Sequence, residues 1–110
     1  MKLKIATSAA LLLTAFAGTA SADMRSCYEN AAYAYVAAEA DVDIDTARQI
    51  MPLMPQGKQM LTHIRDAARS TGLLRNRGLS RATVVTMARG SMQDTPVLAR
   101  GVVACINRYY

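Results

Sequence analysis

The sequence predicts an all-α protein: a small four- or five-helix bundle, with one disulfide joining its first and last helices, after a cleaved signal peptide. Apolar residues recur at helical spacing, and no stretch sustains the alternation of a strand. Residues that start and stop helices punctuate those stretches at suitable intervals. Two cysteines, Cys27 and Cys105, lie near opposite ends of the chain that follows an export-type leader.

The leader is read from three parts in order. Met1-Lys2-Leu3-Lys4 is short and basic, and an apolar run over 5–17 follows, interrupted only by Thr7, Ser8 and Thr14. Gly18 then breaks the run, and Ala20-Ser21-Ala22 gives the small-x-small pattern of a signal peptidase site. A membrane anchor needs about 20 apolar residues to cross the hydrocarbon core, and this run has 13. The expected division is a signal peptide over 1–22 and a single helical domain over 23–110. Such a short basic start looks bacterial, so the product is expected in the periplasm or outside the cell. Asp23 would be its first residue, not the cysteine that a lipid anchor at that point requires.

Removal of Lys2 and Lys4 lowers the net charge from +5 to +3. No second apolar run approaches membrane length, which predicts a soluble mature chain with no transmembrane segment. A domain of this size buries only about two-thirds of its unfolded surface, so a covalent staple is valuable. The two cysteines permit one pairing. Closing a loop of nearly the whole domain removes about 4–5 kcal/mol of unfolded-chain entropy. There is no Cys-x-x-Cys to indicate a redox or metal pair.

The helices follow in chain order. Ser26-Cys27-Tyr28-Glu29 has the Ser-x-x-Glu form of a capping box and precedes an alanine-rich run to Ala40. Asp41-Val42-Asp43-Ile44-Asp45 ends that helix, and Asp45 is expected to cap a short one over 46–51. Met51-Pro52-Leu53-Met54-Pro55 reads as a rigid connector, with Pro55 in the first turn of a third helix. That helix is expected to reach about Ser70, with Met60, Leu61, Ile64, Ala67, Ala68 and Thr71 inward and Gly72 as its cap. Residues 73–79 read as a loop containing arginine and glycine. Ser80 is expected to cap a helix over 81–89 ending at Gly90, and Asp94-Thr95-Pro96 to open the last helix. Its inner stripe is Leu98, Gly101/Val102, Cys105, Ile106 and Tyr109. If the terminal helices pack lengthwise, the disulfide makes them antiparallel, with Ala31, Ala34 and Ala38 allowing close approach to Gly101.

Charge is unevenly placed. Residues 23–47 carry six acids and one base, whereas residues 48–110 carry ten bases and two acids. Arg65, Arg69, Arg75, Arg77 and Arg81 form the basic stretch, and the planar guanidinium suits carboxylates and phosphates. An acidic protein, an anionic lipid or an envelope polysaccharide would fit it. No stacking aromatics interleave with these arginines, which excludes a nucleic-acid partner on the pattern expected for one. Tyr28 and Tyr35 share a helical face and read as core, whereas Tyr33 and Tyr110 read as partner contacts.

Asp41-x-Asp43-x-Asp45 opens like a calcium loop. That loop needs glycine and glutamate where Thr46 and Pro52 stand, so the aspartates are assigned to helix capping. Met51, Met54, Met60 and His63 are weak candidates for a soft metal such as Cu(I), and methionines equally fill irregular core gaps. His63 is the only histidine, and there is no Gly-x-Ser-x-Gly elbow to present a nucleophile. Catalysis is therefore not expected, and no cofactor is implied.

The leading expectation is a small exported protein that binds another protein in the cell envelope. In size, helicity and disulfide it resembles bacterial secretion-system immunity proteins and small periplasmic acid-stress chaperones. The alternatives are a polyanion or membrane-surface binder using the arginine stretch, and a copper binder using the methionines and His63.

Overall fold

The computed structural model describes the backbone of residues 5–110 and the side chains of residues 22–110. The expected signal peptide therefore falls, except for Ala22, outside the described side chains. Among the described residues the chain is all-helical and holds the disulfide. Its elements are α1 (Ile5–Ala40), α2 (Ile44–Ile50), a 3-10 turn (Met51–Leu53), α3 (Pro55–Asn76), α4 (Arg81–Ser91) and α5 (Pro96–Tyr109).

Several boundaries differ from the sequence reading, each for a local reason. Residues 22–26 are already helical, so Ser26 has no free first-turn N–H groups to cap. The Glu29 carboxylate turns instead to Arg25 and Arg65. Asp41 ends α1 in the left-handed region at φ 56°, and the Val42 N–H donates to the Ala37 carbonyl at 3.0 Å. That bond closes a Schellman turn, with Asp in place of the usual Gly. Asp43, not Asp45, then caps α2 by accepting the Thr46 N–H at 2.7 Å. Those hydrogen bonds from Thr46 hold the Asp43 carboxyl below its ordinary value. Asp45 lies in the first turn and pairs with Arg48 at 3.0 Å.

α3 runs past Gly72 to Asn76 because the next turn still has something to bury: Leu74 packs against the core. The true stop is Gly78, at φ 83°, where the Leu79 N–H reaches the Leu74 carbonyl at 3.2 Å. Ser80 caps α4 as expected, accepting the Thr83 N–H at 3.2 Å. α4 continues through Gly90 to Ser91.

α1 is the central element, with α3 and α5 packed along it. Cys27 and Cys105 are joined with their Cα atoms 5.8 Å apart. A turn further along, a Cβ placed on Gly101 would lie 3.0 Å from the Ala31 Cβ, which makes α5 antiparallel to α1. Ala34 and Ala38 do not share this contact; both are exposed. The core is Met24, Tyr28 and Ala32 of α1 against Leu61, Ile64 and Ala68 of α3, with Val102 and Ile106 of α5. Burial of such side chains from three helices is the main source of stability here.

Candidate functional site

The structure sorts the sequence candidates into internal and free groups. Tyr33 is buried, and the Arg48 guanidinium lies over its ring, 5.4 Å from the centroid. By helical period alone, Tyr33 lies away from the face shared by Tyr28 and Tyr35. However, α2 folds back on α1 and covers this second side. Tyr110 is half-buried, and its hydroxyl donates to the Leu79 carbonyl, which ties the chain's last residue to the α3–α4 loop. Tyr33 is therefore covered by the chain itself, whereas the Tyr110 ring stays partly exposed.

The arginine stretch divides in the same way. Arg65 donates to Glu29, and this hydrogen bond raises its pKa further. Arg69 pairs with Asp66 at 3.6 Å. Arg75 donates to the Tyr109 carbonyl at 3.3 Å, placing a cation at the C-terminus of α5. Arg77 and Arg81 are exposed, and among the described residues neither forms an ion pair.

The soft-ligand set separates too. Met51 is 1 % exposed in the core, and its carbonyl leaves no room for a side chain at Gly57. Met54 is exposed, whereas Met60 and His63 line a cleft of about 400 Å³ with Ile64, Met92 and Leu98. Among the described residues no three His, Cys, Asp or Glu side chains cluster as a metal site.

A buried hydroxyl pair sits beside the clasp. Thr71 donates its proton to the Ala67 carbonyl at 2.8 Å, so in the 2.8 Å contact between Tyr28 and Thr71 the tyrosine is the donor. Burial raises the Tyr28 pKa, partly offset by this bond.

A further concave surface was not visible in the sequence. It is a groove of about 480 Å³ between the end of α4 and the length of α5. Ala99 and Val103, both nearly buried, form its floor, and Arg89, Arg100 and Gln93 contribute its polar groups. Among the described residues neither Arg89 nor Arg100 has an acidic partner. Eleven positions on two different helices separate these arginines. The one available signal was a second apolar stripe on α5, Ala99 and Val103 beside Leu98 and Val102, wider than a single packing contact needs.

α4 is bordered by space on its other side as well. A second cleft, of about 260 Å³, opens between it and α3 over Tyr28, Thr71, Val84 and Val102. Val84 is the one fully buried residue of α4, and Val85 and Ala88 are half-buried against the core beside it. Met92, at its C-terminus, lines all three spaces. No described helix is long and apolar enough to cross a membrane.

Comparison with protein families, characterised proteins and solved structures returns no match.

Proposed function

We propose that residues 23–110 form a non-catalytic protein-binding module of the bacterial envelope, exported by the leader over 1–22, whose α4–α5 groove takes an acidic, amphipathic segment of a partner protein. One observation carries this reading: two guanidinium groups without acidic partners line an apolar groove floored by small side chains. The apolar stripe of a helix would lie on Ala99 and Val103, and its carboxylates would meet Arg89 and Arg100 with charge-assisted hydrogen bonds. In plan this is the manner of an envelope immunity or inhibitor protein, or of a small chaperone. The disulfide supports both export and a pre-formed surface, because it persists in oxidising compartments. A polyanion reading through the sequence's arginine stretch has less support, since Arg65, Arg69 and Arg75 are engaged internally.

The test is crosslinking of the exported protein in its own cells, comparing wild type with Arg89→Glu/Arg100→Glu and with Arg77→Glu/Arg81→Glu. A partner crosslinked through an acidic segment should be captured by wild type and by the 77/81 variant, and lost from the groove variant. Equal capture by all three would overturn the proposal. Loss from the 77/81 variant alone would favour the polyanion reading instead.

A further inference from the structure

We infer that the cleft between α3 and the end of α4 is a soft-metal site, in which Met60, His63 and Met92 bind Cu(I). The fold brings Met92 to two side chains that the sequence already places together. Met60 and His63 are three positions apart on α3 and therefore share a face, and Met92 comes across from the C-terminus of α4. All three line one cleft of about 400 Å³. The chain's single histidine thus stands with two thioethers and with no carboxylate among the groups lining the space.

That composition selects the metal. Thioether sulfur and neutral imidazole are soft or borderline donors suited to Cu(I), whereas Mg²⁺, Ca²⁺ and Mn²⁺ call for carboxylate and carbonyl oxygen. Zinc sites draw on Cys, His and carboxylate ligands, and no cluster of three such residues occurs among the described residues. Ile64 and Leu98 give the cleft an apolar wall, which disfavours the more strongly hydrated Cu(II). Met60 and Met92 are half-buried against the core, where packing restricts their side chains, and both line the cleft. His63 is exposed and free to close over a bound ion. Met51 and Met54, which the sequence grouped with Met60 and His63, do not line this space.

Met92 also borders the α4–α5 groove, whereas Met60 and His63 do not, so the Met60 and His63 variants test the metal site apart from the groove's proposed partner. The experiment is anaerobic titration with Cu(I) against a chromophoric chelator, using the oxidised protein. Wild type and Met54→Leu should retain one equivalent. Met60→Leu, Met92→Leu and His63→Ala should each weaken retention about tenfold or more. Methionine to leucine conserves volume, so thermal unfolding of the apo-proteins should coincide. Ag(I), used as a redox-inert stand-in, should shift the methyl resonances of Met60 and Met92 and leave that of Met54 in place. Equal retention by wild type and Met92→Leu would overturn the site, as would a Met54→Leu loss matching that of Met60→Leu.

Discussion

The two sides of α5 are built in opposite ways. On the side facing α1 and the end of α3, several polar groups are matched within the chain. The disulfide joins α1 to α5, Tyr28 donates to Thr71, Tyr110 donates to the Leu79 carbonyl, and Arg75 donates to the Tyr109 carbonyl at the end of α5. On the side facing α4, that helix buries one valine fully and packs Val85 and Ala88 only half-buried, clefts border it, and among the described residues Arg89 and Arg100 have no acidic partner. A surface that satisfies itself is scaffold. A surface that leaves cations beside a small-residue floor is where a ligand would be stabilised. The contrast has consequences for stability that can be measured in turn.

The largest concerns the clasp. Replacing both Cys27 and Cys105 with serine reopens a loop of 78 positions and should remove about 4–5 kcal/mol, close to the entire stability of a domain this small. Urea denaturation of the protein before and after reduction measures it. A loss below about 1 kcal/mol would mean that packing alone holds the α1 side, since the bond is there to restrict the unfolded chain.

The second compares buried aliphatic residues on the two sides. Ile106 is fully buried beside the clasp, and Ile106→Ala should cost about 2–5 kcal/mol through lost transfer energy and a new cavity. Val84→Ala should cost only about 1–2 kcal/mol, because Val84 already borders an open cleft. Hydrogen exchange should also separate them. Amides of α4 should exchange through local opening well below the global free energy, whereas those of α1 around Tyr28 should exchange only with global unfolding. Equal protection would contradict a loosely held α4.

What could be read from the sequence follows the same division. The clasp was legible because two cysteines have one pairing. The starts of α3, α4 and α5 were legible because Pro55, Ser80 and Pro96 act through local chemistry that needs no neighbour. The end of α3 was not, because Gly72 and Gly78 are both able to stop a helix and only the core contact of Leu74 selects between them. Asp43 and Asp45 posed the same ambiguity, decided by which aspartate stands three residues ahead of a free N–H. Tyr33 was misplaced because one helical period describes one buried face, and α1 has neighbours on more than one. The groove and the Met60–His63–Met92 cleft were illegible for a simpler reason: each assembles side chains from two helices, and sequence periodicity carries no information on which helices meet.

A third prediction isolates one hydroxyl. Tyr28→Phe should cost about 1 kcal/mol at neutral pH, since Thr71 keeps its bond to Ala67. The folded Tyr28 pKa is raised above its ordinary 10.0 by burial, so the unfolded chain releases this proton first. The stability linked to Tyr28 is therefore present below about pH 10 and lost as pH rises from there through the folded value. Wild type should lose stability more steeply than Tyr28→Phe above that pH. Parallel slopes would mean that the phenol is not held neutral by its surroundings.

The smallest effects test the contrast where it is sharpest, between arginines of the same stretch. Arg65→Gln removes the cross-helix partner of Glu29, whose side chain is only 18 % exposed. Arg25 remains at 3.4 Å, and the Arg65 side chain is itself 40 % exposed, so solvent screening limits the loss to about 0.5–1 kcal/mol. Arg77→Gln removes an exposed charge with no partner and should stay within about 0.5 kcal/mol of wild type. Salt tells the two apart: near 1 M the Debye length falls to about 3 Å, so the Arg65 difference should shrink while Arg77→Gln stays unchanged. If Arg77→Gln proved the more costly of the two, the basic loop would hold a structural contact, and the division between matched and unmatched charge would have to be redrawn there.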